Sequence, residues 1–132
     1  MRAILVDTSV WIANLRDAQT EPVRKLRGLD PAFESIVVGD LILLEIMMGA
    51  RNEAHAVRLR EEFERFPLVA LMDPSLAEEA ARNYRILRGL GFTIRTGIDV
   101  VIGTWCIRNG HELLHDDRDF GPMERHLGLK VF

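Results

Sequence analysis

The fold class this sequence predicts is α/β: a mostly parallel central sheet with helices on both faces. Two observations lead there. Short apolar runs such as "AILVD" and "SIVVG" read as buried strands. They alternate along the chain with segments of helical pattern that carry their own start and stop signals.

The elements follow in order. "AILVD" is the first strand, and "TSVWIANLR" a helix capped by Thr8 or Ser9. "EPVRKLRGL" is a short helix with Pro22 in its first turn. "SIVVG" is the second strand, and Asp40 is placed to cap the helix "LILLEIMMGAR". "EAHAVRLREEFERF" is amphipathic and stops before Pro67. "LVALM" is the third strand, and "PSLAEEAARNYRILRGLG" a long helix ending in glycines. "IDVVIGTWCIRNG" is a buried helix closed by Gly110. "ELLH" is the fourth strand, "FGPMERHLG" a short helical piece, and "LKVF" a last short strand.

A length of 132 residues suggests one domain, 1–132, able to hold a core unaided. With 48% hydrophobic and 28% charged residues the chain is neither disordered nor fibrous. No apolar stretch approaches the roughly 20 residues that span a bilayer, and no leader precedes "AILVD". A cytoplasmic protein without membrane contact is expected. Cys106 is the only cysteine, which excludes an internal disulfide, and its apolar setting favours packing over reactivity. The net charge of −3 speaks against holding nucleic acid by overall charge. Among 17 basic residues only Lys25 and Lys130 are lysines, a bias that a GC-rich genome also produces.

The acids carry the chemistry. In open parallel sheets, sites form beyond the carboxyl ends of the strands. Asp7 lies at such an end, Asp117 just after "ELLH", and Asp40 after "SIVVG". Glu45 stands about one turn into the next helix, among Ile42, Leu44, Ile46 and Met47, where a carboxylate needs a partner or a cation unless it turns to water. Asp99 flanks the apolar stripe Ile98, Val101, Ile102 and Trp105, and alone would be an acid favoured by the helix dipole. From "LLHDDRDF", Asp116, Asp117 and Asp119 compete for a fourth place. Carboxylates sharing a pocket need a counter-cation. With no cysteine cluster and no histidine pair at zinc spacing, an all-oxygen set suits Mg²⁺ or Mn²⁺. Such ions serve phosphodiester hydrolysis.

"ILVDTSVWI", "LLEIMMGA", "RTGIDVVIGTWCIRNG" and "ELLHDDRDF" resemble, in order, the four acidic motifs of PIN domains, most closely those of VapC toxins from VapBC toxin–antitoxin pairs. The resemblance covers nearly the whole chain. It implies a PIN-like three-layer α/β/α sandwich and a cluster of Asp7, Glu45, Asp99 and Asp117 around Mg²⁺ or Mn²⁺. Asp7 and Asp99 look like direct ligands, and Glu45 a ligand through water or the group that orients the attacking water. "D-R-D-F" aligns Asp117 as the ligand and Asp119 as structural, with Asp116 beside them. Ser9 fits a position that hydrogen-bonds near the metal. His115 stands where the family often has Thr. The resemblance also implies an endoribonuclease of structured RNA, tRNA or rRNA, that stops translation. A cognate VapB-type antitoxin, a homodimer and a toxin–antitoxin hetero-oligomer belong to the same expectation.

For RNA contact, Arg95 and Arg118 lie nearest the acidic motifs in sequence. Arg82, Arg85 and Arg88 recur along the long helix, but Glu78 is spaced to pair with Arg82, as Glu62 is with Arg58 and Glu61 with Arg65. Two other functions compete with the nuclease. A catalytically inactive PIN-fold binding module would not need four acids. A haloacid dehalogenase-type phosphatase wants a second Asp two residues after the first, where this chain has Ser9.

Overall fold

A computed structural model of the protein describes residues 1–132. Strand β1 (Arg2–Val6) is central in a four-stranded parallel sheet of order β3-β2-β1-β4, with β2 at Glu34–Gly39, β3 at Leu68–Val69 and β4 at Glu112–Leu114. Ile4 faces Ile36 on one side and Glu112 on the other, and Val6 faces Leu114. A strand paired on both edges and covered on both faces excludes water, and Ile4, Leu5 and Val6 are fully buried.

The helices are α1 (Thr8–Leu15), α2 (Glu21–Arg27), α3 (Asp40–Met48), α4 (Glu53–Phe63), α5 (Pro74–Gly89), α6 (Gly97–Asn109) and α7 (Gly121–Leu127). One layer joins α1 to α2 and α3, and α3 to α4; the other joins α5 to α6 and α7. The three-layer sandwich expected from the motifs is the observed architecture. No helix is long and apolar enough to cross a membrane. Trp11 of α1 meets Phe63 edge-on at 4.8 Å and Phe66 at 5.4 Å, which pins the end of α4 to α1. In α6 every residue from Val100 to Cys106 is buried. Burial raises the Cys106 thiol far above its ordinary pKa, in keeping with a packing role. The helix stops at Gly110, whose φ of 66° is the left-handed cap that glycine adopts without strain.

Three expectations change here. Only Leu68 and Val69 of "LVALM" pair as strand, because Leu71 turns inward across Gly39. A Cβ on Gly39 would stand 2.5 Å from Leu71 Cδ1, so only glycine fits. Asp40 does not cap α3. Its Oδ1 accepts the Leu41 N–H at 2.8 Å and the Leu71 N–H at 3.0 Å, tying α3 to the segment after β3. Of "LKVF", only Val131 pairs, as a parallel bridge to Leu113 at the β4 edge.

Candidate active site

All four strands run the same way, so Asp7, Asp40 and the loop after β4 emerge at one edge of the sheet. The buried end of β1 fixes Asp7, which is 4% exposed. Asp7 is itself the cap of α1, a role expected of Thr8 or Ser9. Its Oδ2 accepts the Ser9 backbone N–H at 3.1 Å and the Ser9 hydroxyl at 2.6 Å. Ser9 Oγ also accepts the Asp116 N–H at 3.2 Å, so one serine joins the end of β1 to the loop after β4. Burial raises the Asp7 carboxyl above its ordinary pKa, and the two Ser9 bonds oppose that rise.

Glu45 does not turn to water. It is half-buried on α3, and its Oε1 accepts the hydroxyl of Thr8 at 2.8 Å. Asp99 lies in the first turn of α6, where Thr96 Oγ1 accepts its N–H at 3.2 Å. Burial first, then the charges on Asp7 and Asp117, push the Asp99 carboxyl up to about 6. Asp117 caps a single 3-10 turn, Arg118–Phe120, with its Oδ1 accepting the Asp119 N–H at 2.9 Å. His115 Nδ1 accepts the Asp117 N–H at 3.1 Å, which requires that nitrogen to be unprotonated. Burial, working against the neighbouring acids, keeps the His115 pKa below its ordinary value.

Asp7, Thr8, Ser9, Ile12, Glu45, Arg95, Thr96, Asp99 and Asp117 line one cleft of about 360 Å³. Carboxylate oxygens of Asp99, Asp117 and Asp119 lie within 4.8 Å of one another. Asp40 is not in the cleft lining, and Asp116 is exposed and joins the site through its backbone N–H. Arg118 is exposed and forms no ion pair, whereas Arg95 lies over the acids. Its Nε bonds Asp119 Oδ2 at 2.8 Å and its Nη2 bonds Asp117 Oδ1 at 3.0 Å. Burial opposes ionisation of Asp119, but the Arg95 bonds outweigh it and lower the carboxyl's pKa. Neither Thr8 nor the Arg95 pairing was legible from sequence, since their partners lie 37 and 22–24 residues away. The ion pairs expected along the helices also differ. Arg60 pairs with Glu64 at 3.6 Å, while Arg82, Arg58 and Arg65 form none. A more apolar groove of about 430 Å³, between α5 and α6, has no carboxylate in its lining and offers no comparable chemistry.

The cleft is rich in oxygen donors. Asp99, Asp117 and Asp119 form a close group, Asp7 and Glu45 line the cleft without joining that group, and Arg95 is the positive side chain beside them. Oxygen donors of this kind suit a hard divalent cation.

Residues 4–125 match the PIN domain family. Over 129 residues the chain is 30% identical to the VapC ribonuclease Mb1587 of Mycobacterium bovis, covering 97% of this chain and 96% of that protein. The chain belongs to the PIN-domain family, among its VapC members. Ribonuclease VapC11 of Mycobacterium tuberculosis is similar to the same degree, 30% over 129 residues, with the same coverage of 97% and 96%. The fold of this PIN domain is also that of a chain in VapBC2 from Rickettsia felis bound to a DNA fragment from their promoter. That likeness has a TM-score of 0.76 at 15% identity and covers 98% of this chain and 97% of the other.

Proposed function

We propose that this PIN domain is the toxin of a VapBC-type pair, a metal-dependent endoribonuclease of structured RNA in the tRNA or rRNA class that inhibits translation. The observation that carries the reading is the convergence of Asp7, Glu45, Asp99 and Asp117 on one cleft from four separate elements. Asp7, Asp99 and Asp117 are assigned as holders of Mg²⁺, or Mn²⁺ in its place. When bound, such an ion polarises a phosphoryl oxygen and acidifies water. Glu45, held through Oε1 by Thr8, orients the attacking water. Ser9 orients Asp7, and Asp119 is structural through Arg95. Arg118, exposed and next to Asp117 in sequence, is assigned to RNA phosphate.

The expected partner is a cognate VapB-type antitoxin. A second cleft of about 270 Å³ shares Ile12 and Glu45 with the acidic one and is lined further by apolar Leu15, Ile46 and Leu59 and by polar Arg16, Arg51 and His55. This continuity supports an antitoxin segment lying across both, with apolar side chains in the second cleft and a polar one near the acids. A homodimer, a toxin–antitoxin hetero-oligomer and a cytoplasmic location complete the proposal.

The test is expression in a bacterial host, with the wild type beside Asp7→Asn and with RNA 5′ ends sequenced. Growth arrest with discrete new ends, absent in the variant, is expected. Arrest without new ends, or equal arrest with Asp7→Asn, overturns the reading.

A further inference from the structure

Arg95 precedes α6 by one turn of loop and is bound to the site three times. Its backbone N–H and its Nε both donate to Asp119 Oδ2, at 3.2 and 2.8 Å. Its Nη2 donates to Asp117 Oδ1 at 3.0 Å. The first two bonds already anchor the loop. The third reaches an oxygen that is already held in place as the cap of the 3-10 turn through the Asp119 N–H. What the third bond does is place positive charge on Asp117, which with Asp99 and Asp119 forms the tightest group of carboxylates in the chain. The two arms also differ in setting. The Asp119 side chain is 11% exposed and the Asp117 side chain 24%, so the Asp117 arm is the more easily released.

We infer that Arg95 is a built-in counter-cation that competes with a divalent metal ion for Asp117, while the Asp119 arm keeps the loop in place. The inference rests on the metal site proposed above. Three clustered carboxylates repel one another unless a cation lies among them, and a guanidinium fork fits two carboxylates that a lysine would reach only singly. Asp117 Oδ2 accepts no hydrogen bond, so a metal ion there and the guanidinium on Oδ1 draw on the charge of one carboxylate and compete for it. Arg95 therefore stabilises the metal-free protein and weakens its affinity for metal. The side chain that sequence alone suggests as an RNA contact is, in this state, occupied by the acids.

The test is Mn²⁺ binding by calorimetry, with thermal melts at each step, for wild type, Arg95→Gln, Arg95→Lys and Asp99→Asn. Arg95→Gln is expected to bind Mn²⁺ about fivefold more tightly, the size of one modest ion pair. It should melt lower than wild type without metal and gain more from Mn²⁺. Arg95→Lys, which keeps charge but loses the fork, is expected to fall between and carries the test if the Gln variant folds poorly. A residue that merely braced the loop would lower both stability and metal affinity, so affinity equal to or below wild type in these variants overturns the inference. Asp99→Asn separates the two failures. If wild type binds Mn²⁺ and Asp99→Asn does not, the site stands whatever Arg95 does. If no variant binds Mn²⁺, site and inference fall together.

Discussion

The Thr8 hydroxyl donates to Glu45 Oε1 across 2.8 Å, joining the first residue of α1 to the middle of α3. Thr8 is 8% exposed and lies beside Asp7, so the bond fixes one site acid relative to another. Thr8→Val keeps the shape and removes the donor. We expect a stability loss of ~1 kcal/mol and a fall in RNA cleavage of roughly tenfold from the loosened carboxylate. Cleavage rates and denaturant melts of the pure variant check both, and unchanged cleavage would detach Glu45 from the chemistry.

Ser9 serves two partners with one hydroxyl, donating to Asp7 and accepting from Asp116. Ser9→Ala leaves both without it. The expected loss is about 1–2 kcal/mol, a melting temperature lower by about 4 °C. The Asp7 carboxyl should also titrate higher, because a bond that favours its charged form is gone. NMR titration of the side-chain carboxyl reads that shift directly.

Asp117 and Asp119 are distinguished by charge removal without loss of shape. Asp117→Asn retains the oxygen that caps the 3-10 turn, so the fold should persist while cleavage falls by on the order of a hundredfold or more. Asp119→Asn weakens the Arg95 anchor and should cost less activity. The reverse order would mean that Asp119 is the ligand.

Much of this arrangement was readable in the residues. Asp7 follows an apolar run that reads as a buried strand, and parallel strands bring their carboxyl ends to one edge, so Asp7 and Asp117 are expected on the same edge; that their strands are neighbours comes from the fold. Glu45 stood out because its helical neighbours are apolar. The remaining features depend on contacts distant in sequence. No local pattern links Thr8 to Glu45 or Arg95 to Asp117. Asp40 reads as a helix cap until Leu71 arrives from 31 residues away to take its oxygen. "LVALM" has strand composition throughout, yet its pairing stops where Leu71 leaves the edge to fill the space over Gly39. Charge spacing on α5 permits Glu78–Arg82, which does not form, while the equally exposed Arg60–Glu64 pair at the end of α4 does; pairs this weak are not dictated by spacing alone.

The metal-free protein should show the strain of its acids in its pH dependence. Asp99, raised to about 6, binds a proton more tightly when folded than when unfolded. Its contribution to stability is therefore full below about pH 4 and is lost as pH rises through about 6. Asp7 shifts in the same direction. In EDTA, Asp99→Asn should melt above wild type near pH 7, and the advantage should vanish on acidification. A constant difference across that range would contradict the assigned burial and charge.

The most direct measurement is cleavage of total cellular RNA by the purified, antitoxin-free protein with Mg²⁺ or Mn²⁺, with cut ends mapped by sequencing. EDTA and Asp7→Asn are the controls. Discrete cuts in structured RNA that disappear in both controls are expected. RNA left whole by protein that is folded and supplied with metal, or cuts that survive in Asp7→Asn, would contradict the proposed function.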